Sequence, residues 1–181
     1  MTPSTLRGDC AQCAALCCVA LAFDRSTQFA YDKPAGEPCA NLNARGRCAI
    51  HAERGAKGFP GCEAYDCQGA GQAVTQGLFG GASWRDDPAL LGPMMRAFAE
   101  MRRAQEVLAL VRQARGLGLP AEADRRLGAA ERGLAPEGGW TPADLDAGRI
   151  GEAAAAGAAA LRALAPLLAG RTLRVPVAME A

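Results

Sequence analysis

After Cys67 the chain contains no cysteine, although eight fall between Cys10 and that point and the full length is 181 residues. That asymmetry excludes a uniform fold with incidental thiols. Aromatic residues make up only 5% of a chain that is 50% hydrophobic, so alanine carries much of the apolar content. Histidine is nearly absent. A Ser-His-Asp or Cys-His catalytic site would have to use His51, which lies among the cysteines. Excess charge is missing too: the formal net value is +1, and acids and bases nearly balance on either side of Gln76. Neither half offers the basic footprint that nucleic acid requires.

Long apolar runs are also lacking. Residues 14–23 are interrupted by cysteines, and residues 153–169 are mostly alanine with Arg162 near the middle. A membrane-spanning helix needs about 20 strongly apolar residues. The first nine residues hold one basic side chain and no apolar stretch of the kind a secretory signal uses. The expectation is a cytoplasmic chain with neither membrane nor nucleic acid as a partner.

The cysteines are what the sequence does have. Their order is Cys10-x2-Cys13-x3-Cys17-Cys18, then Cys39-x8-Cys48, then Cys62-x4-Cys67. A disulfide framework and a metal site compete to explain such a cluster. Reduced thiols in the cytoplasm favour metal, and a set this dense exceeds what small buried hydrophobes explain. If Asp9 caps a helix beginning at Cys10, then Cys10, Cys13 and Cys17 fall within about 60° of one another at 100° per residue. Cys18 lies about 80° to one side, placed for a neighbouring site or a bridge. The later pairs would complete the shell. Thiolates select zinc or iron–sulfur clusters over harder metals. His51, three residues after Cys48, is spaced either as a zinc ligand or as a surface side chain. Arg45, Arg47, Arg54 and Lys57 would offset thiolate charge or form a solvated face.

The pattern, continued by Pro38-Cys39-x-x-Leu42 and Cys48-Ala49-Ile50-His51, resembles the family of zinc- or iron-chelating cysteine-cluster domains. Over Gly61-Cys62-x-Ala64-Tyr65-Asp66-Cys67-x-Gly69-Ala70-Gly71-Gln72 it is more similar to the cysteine-rich heads of bacterial pentapeptide-repeat proteins. The likeness covers residues 9 to 72 and includes all eight cysteines. It implies metal binding through Cys10, Cys13, Cys17, Cys18, Cys39, Cys48, Cys62 and Cys67, as zinc or an iron–sulfur cluster. The methyl-transfer activity of a relative, a flagellin lysine methylase, does not carry over. Two features depart from the family. Gly58-Phe59-Pro60-Gly61 stands where Arg-Pro is common, and Ala143-Asp144-Leu145-Asp146-Ala147 is a lone pentapeptide unit, so no β-helix is predicted.

Enzyme motifs do not fit well. Radical SAM enzymes use Cys-x3-Cys-x2-Cys, the reverse of the order here, and need more length. The glycine clusters at 69–71 and 77–81 lack the lysine and the strand–helix setting of a phosphate loop. The predicted fold is mainly α. Residues 1–76 form a loop-rich, metal-stapled cysteine domain, 77–87 a glycine-rich joint, 88–170 a helical hairpin or bundle, and 171–181 a tail.

Within the helical region, Asp86-Asp87-Pro88 starts a helix with Met94, Phe98, Met101, Leu108 and Val111 on one stripe. A second helix covers 121–132, Thr141 caps a third, and the last runs from 150 to 168. The leading function is non-enzymatic metal binding. The rivals are a redox or modifying enzyme using an iron–sulfur cluster, and an interaction module with structural zinc whose Met94–Phe98–Met101 face binds a protein partner.

Overall fold

The structure, a computed structural model, describes residues 6–170 and Leu173. The Val175-Pro176-Val177 tail read as extended or disordered lies outside them. The fold is mainly α. Its helices are α1 (Leu16–Ala20), α2 (Pro60–Ala64), α3 (Ala70–Gln72), α4 (Leu91–Arg115), α5 (Ala121–Leu134), α6 (Pro142–Asp146), α7 (Arg149–Ala163) and α8 (Ala165–Leu168). A π-helical turn, Ala73–Leu78, continues α3. Among the described residues, β-pairing is limited to two isolated antiparallel bridges, Phe23 with Lys33 and Leu42 with Cys48.

Helix α4 is the spine. The Asp87 carboxylate accepts a hydrogen bond from the Ala89 N–H, and Pro88 opens a 3₁₀ turn that feeds the helix. At 25 residues it extends about 38 Å. Met94, Phe98, Met101, Leu108 and Val111 are all 1% exposed or less, so the stripe faces a core rather than a partner. Helices α5 and α7 pack on α4 and on each other. Gly157 makes this close approach possible: a Cβ there would stand 2.8 Å from both Leu134 Cδ1 and Val107 Cγ1.

Thr141 and Asp144 form a reciprocal capping box at the start of α6, so the lone pentapeptide-like unit is a capped helix. The last helix is shorter than expected. It breaks at Leu164 because Pro166 has no N–H to give Arg162.

Leu16 and Val19 of α1, with Ala70 and Val74, belong to the same continuous core as the α4 stripe. The glycine-rich joint is also partly core. Leu78 ends the π-turn and is 6% exposed, and Trp84 is 9% exposed. The cysteine-rich part therefore rests on α4 through apolar contacts.

Filling the α4–α5–α7 contact should weaken it. Gly157→Val is expected to cost about 1–3 kcal/mol by overpacking, read as a lower denaturant midpoint with an unchanged slope.

Candidate metal centre

The cysteines are arranged around α1. Leu16 and Val19 are fully buried against the core, which leaves the adjacent Cys17 and Cys18 on the flanks of the helix. The continuous helix expected from Cys10 onward does not form. Asp9 does cap a turn, accepting from Ala11 N–H, but that turn is a 3₁₀ segment ending at Gln12. Cys13 is extended, and Ala15 is left-handed at φ 58°. The cause is the Ala14 main chain. Its N–H donates to Thr75 Oγ1 at 3.0 Å, and its carbonyl accepts from Trp84 Nε1 at 2.7 Å. Neither group is free to join a helical ladder. Left-handed backbone at alanine costs about 1–2 kcal/mol, and two buried hydrogen bonds offset it.

A first group of thiols forms where residues 8–14 are laced to residues 66–76. Gly8 N–H donates to Asp66 Oδ1 at 2.9 Å, Asp9 N–H to Gln72 Oε1 at 3.0 Å, and Gln76 Nε2 to Gln12 O at 2.9 Å. The lacing brings Cys13 and Cys67 to Gly71, whose Cβ position would lie 2.5 Å from Cys13 Sγ and 3.8 Å from Cys67 Sγ. Cys10 lies within electrostatic reach of Cys18 and Cys67, and Cys17 within reach of Cys18, Cys13 and Cys10. Tyr65 stands against Cys17 and Cys67, and its buried hydroxyl has no hydrogen-bond partner among the described residues.

A second group lies on the other flank of α1. Cys39 N–H donates to Cys18 O at 2.9 Å, and the Leu42–Cys48 bridge folds Cys48 back beside Cys39. Gly61 N–H donates to Gln28 O at 3.2 Å, which docks the start of α2 and so presents Cys62. Cys62 faces Cys18, Cys39 and Cys48. The hydroxyl of Tyr31 contacts Cys39 Sγ at 3.1 Å. Four of the chain's few aromatics wall this side: Phe23 stacks on Phe29 at 4.5 Å, and Tyr31 meets Phe59 edge-on at 5.2 Å.

The two groups meet where Cys17 Sγ and Cys18 Sγ stand 4.0 Å apart, and Cys10 of the first group also lies within electrostatic reach of Cys18. The Cys17–Cys18 contact raises Cys17 and lowers Cys18, and Lys33 and Arg54 add to the lowering of Cys18. Burial pushes the Cys13 and Cys62 thiols up to about 11, and it also raises Cys10 and Cys48. Without metal, most of these groups are neutral thiols at pH 7.

The cations are placed differently. Lys33 is 4% exposed, and its Nζ donates to the carbonyls of Val19, Pro34 and Glu37 at 3.3, 3.0 and 2.8 Å. It joins none of the ion pairs among the described residues. Burial lowers its pKa, opposed first by Cys39 and Cys18. Arg54 has a buried Nε without a hydrogen-bond partner and faces Cys10, Cys18, Cys48 and Cys62. The other basic candidates sit further out. Arg47 clamps the carbonyls of Cys10 and Ala11, Lys57 pairs with Glu53, and Arg45 is exposed. His51 is exposed as well.

All eight cysteines are free thiols. Among the described residues no group of three or more His, Cys, Asp or Glu side chains stands where it could hold a metal ion. The donor set is that of a soft metal. Sulfurs predominate, with Asp66 Oδ1 and Cys67 Sγ both 3.2 Å from the Gly8 Cβ position, and Gly71 leaves room for two sulfurs where a Cβ would intrude. Tyr31 and Lys33 were not singled out from the sequence, and Tyr65 and Gly71 entered only as part of the motif that carries the resemblance. A usable signal was there: the chain has only two tyrosines, and each stands at one group of thiols.

The chain matches no family model and no solved structure. It is similar to the uncharacterized protein YybG of Bacillus subtilis (strain 168), with 45% identity over 103 residues. The aligned part covers 57% of this chain and 37% of YybG, so the chain spans little more than a third of that relative's length. No helix among the described residues is long and apolar enough to cross a membrane.

Gly71→Ala tests the first group without removing a sulfur. The added methyl would sit 2.5 Å from Cys13 Sγ and must displace it. Any metal held through Cys13 should fall, while the helical circular dichroism stays within about 10% of wild type because α4, α5 and α7 pack mainly on one another.

Proposed function

We propose that the chain is a non-enzymatic metal-binding protein that holds zinc or an iron–sulfur cluster through its cysteine thiolates. One observation carries this reading: between Phe23 and Phe59 the buried residue is Lys33, a cation. A segment whose apolar side chains Phe29, Tyr31, Leu42 and Ile50 are only partly buried gains less from the hydrophobic effect, yet ordering it costs about 1–2 kcal/mol per residue of backbone entropy. Cys39 and Cys48 lie inside the segment, and Cys18 and Cys62 flank it. Metal–thiolate bonds are the crosslinks this segment otherwise lacks. Structural zinc supplies about 10–16 kcal/mol of apparent binding energy at neutral pH.

Charge supports the same reading. With neutral thiols the Glu37 carboxylate is the anion acting on the buried Lys33 ammonium, and thiolates add to it there and at the Arg54 guanidinium, which offsets the cost of a buried charge. A soft cation displaces the thiol protons, and four thiolates on one Zn²⁺ leave two negative charges for the cations to face. Zinc would supply a rigid crosslink, whereas an iron–sulfur cluster would add one-electron chemistry. The resemblance to zinc- or iron-chelating cysteine-cluster domains points the same way.

Metal analysis and the visible spectrum of the full chain purified without oxygen test this function. Zinc protein should be colourless; iron–sulfur protein should be brown and bleach in air. Cys13→Ser should lose at least one centre's metal while the helices from α4 onward persist. A metal-free, fully folded protein closed by four disulfides would sink the proposal.

A further inference from the structure

Resting on that metal-binding function, we infer that the thiols form two separate four-thiolate centres side by side, Cys10, Cys13, Cys17 and Cys67 in one and Cys18, Cys39, Cys48 and Cys62 in the other. The division runs through the peptide bond between Cys17 and Cys18. Successive residues of a helix point about 100° apart, and each of these two keeps different company. Cys17 looks toward Cys13 and Tyr65, where Gly71 receives Cys13 and Cys67. Cys18 is tied through its carbonyl to Cys39 and lies on the side of Lys33 and the aromatic wall.

Each centre has its own tyrosine hydroxyl, Tyr65 for the first and Tyr31 for the second. Each is also built by different scaffolding. The first rests on side-chain-to-backbone hydrogen bonds between residues 8–14 and 66–76, and the second on the folded-back segment carrying Cys39 and Cys48. Arg54 is common to both, because it faces Cys10 of one and Cys18, Cys48 and Cys62 of the other. The centres are thus distinct in their ligands but adjoin, through Arg54, the Cys17–Cys18 contact and the reach of Cys10 to Cys18. Lys33 acts first on Cys39 and Cys18 of the second centre and last on Cys17 of the first.

The test uses the full chain, stripped of metal anaerobically and titrated with Co²⁺, whose thiolate charge-transfer band reports each filled site. Wild type should take up two equivalents, with absorbance rising linearly and the band fixed in position. Cys67→Ser and Cys62→Ser should each retain one equivalent. Lys33→Met should weaken the equivalent left in Cys67→Ser by about tenfold or more, the effect of one close charge, and spare the one left in Cys62→Ser. Limited proteolysis adds a second readout: residues 24–58 should become cleavable in Cys62→Ser but stay protected in Cys67→Ser. A band that shifts between the first and second equivalents of wild type signals bridging thiolates and overturns the two-centre assignment. So does a single equivalent in wild type, or loss of all metal in either variant. No Co²⁺ uptake by wild type would instead remove the metal-binding function itself, and this inference with it.

Discussion

The short helix α1 has to satisfy two demands that point in different directions. Leu16 and Val19 are fully buried in the core shared with α4, and that contact fixes the rotation of the helix. With rotation fixed, Cys17 and Cys18 have no choice of direction. Each is committed to one flank, and the chain on each flank is shaped to meet it. The Ala14 main chain, gripped by Thr75 and Trp84, sets where α1 begins, so the core also determines the approach of Cys13. A longer helix through Cys10 would gather three sulfurs on one face. It would also give up the buried Trp84 and Thr75 bonds and turn the α1 apolar pair away from α4.

Charge distribution follows from the same geometry. Most of the arginines lie outside the cysteine-rich part, in surface pairs such as Arg126 with Glu122, or in the cluster of Arg112 and Arg115 with Glu131 and Asp124. Exposed pairs of this kind contribute little to stability. Lys33 and Arg54 differ, since each lies within electrostatic reach of the thiols, Lys33 with Glu37 acting on it as well. The chain is poor in tyrosine and lysine, yet both tyrosines and one of two lysines stand at the thiols.

Much of the helical half is legible in the sequence because its signals are local. Asp87-Pro88, the Met94–Phe98–Met101 stripe and the Thr141 cap each act over a few residues, and each has the expected effect. Pro166 breaks the last helix by an equally local rule. The site was legible only in composition and spacing. Its division depends on long-range contacts that spacing does not encode: Thr75 on Ala14, Asp66 on Gly8, Gln28 on Gly61. Helical periodicity extrapolated across Cys13 and Ala15 failed for that reason, because a tertiary hydrogen bond outweighed a local preference. Lys33 was overlooked because a lone lysine in a loop reads as solvated, and only the fold shows its ammonium turned inward onto three carbonyls.

The two flanks of α1 differ in how their order is built. Around Cys10, Cys13 and Cys67 the backbone is held by side chains that need no thiolate: Asp66, Gln72, Thr75, Gln76 and Arg47 each bond a main-chain group. The backbone on that flank is therefore ordered by the fold itself. Around Cys39 and Cys48 the chain has isolated bridges, turns and a half-exposed aromatic wall, and its buried residue is a charged one. If metal is held on both flanks, on the second it must supply the ordering as well as the bonds, so for equal thiolate chemistry it would bind there less tightly than on the first. The Cys17–Cys18 peptide bond joins a flank that side-chain hydrogen bonds build to one held by isolated bridges and turns.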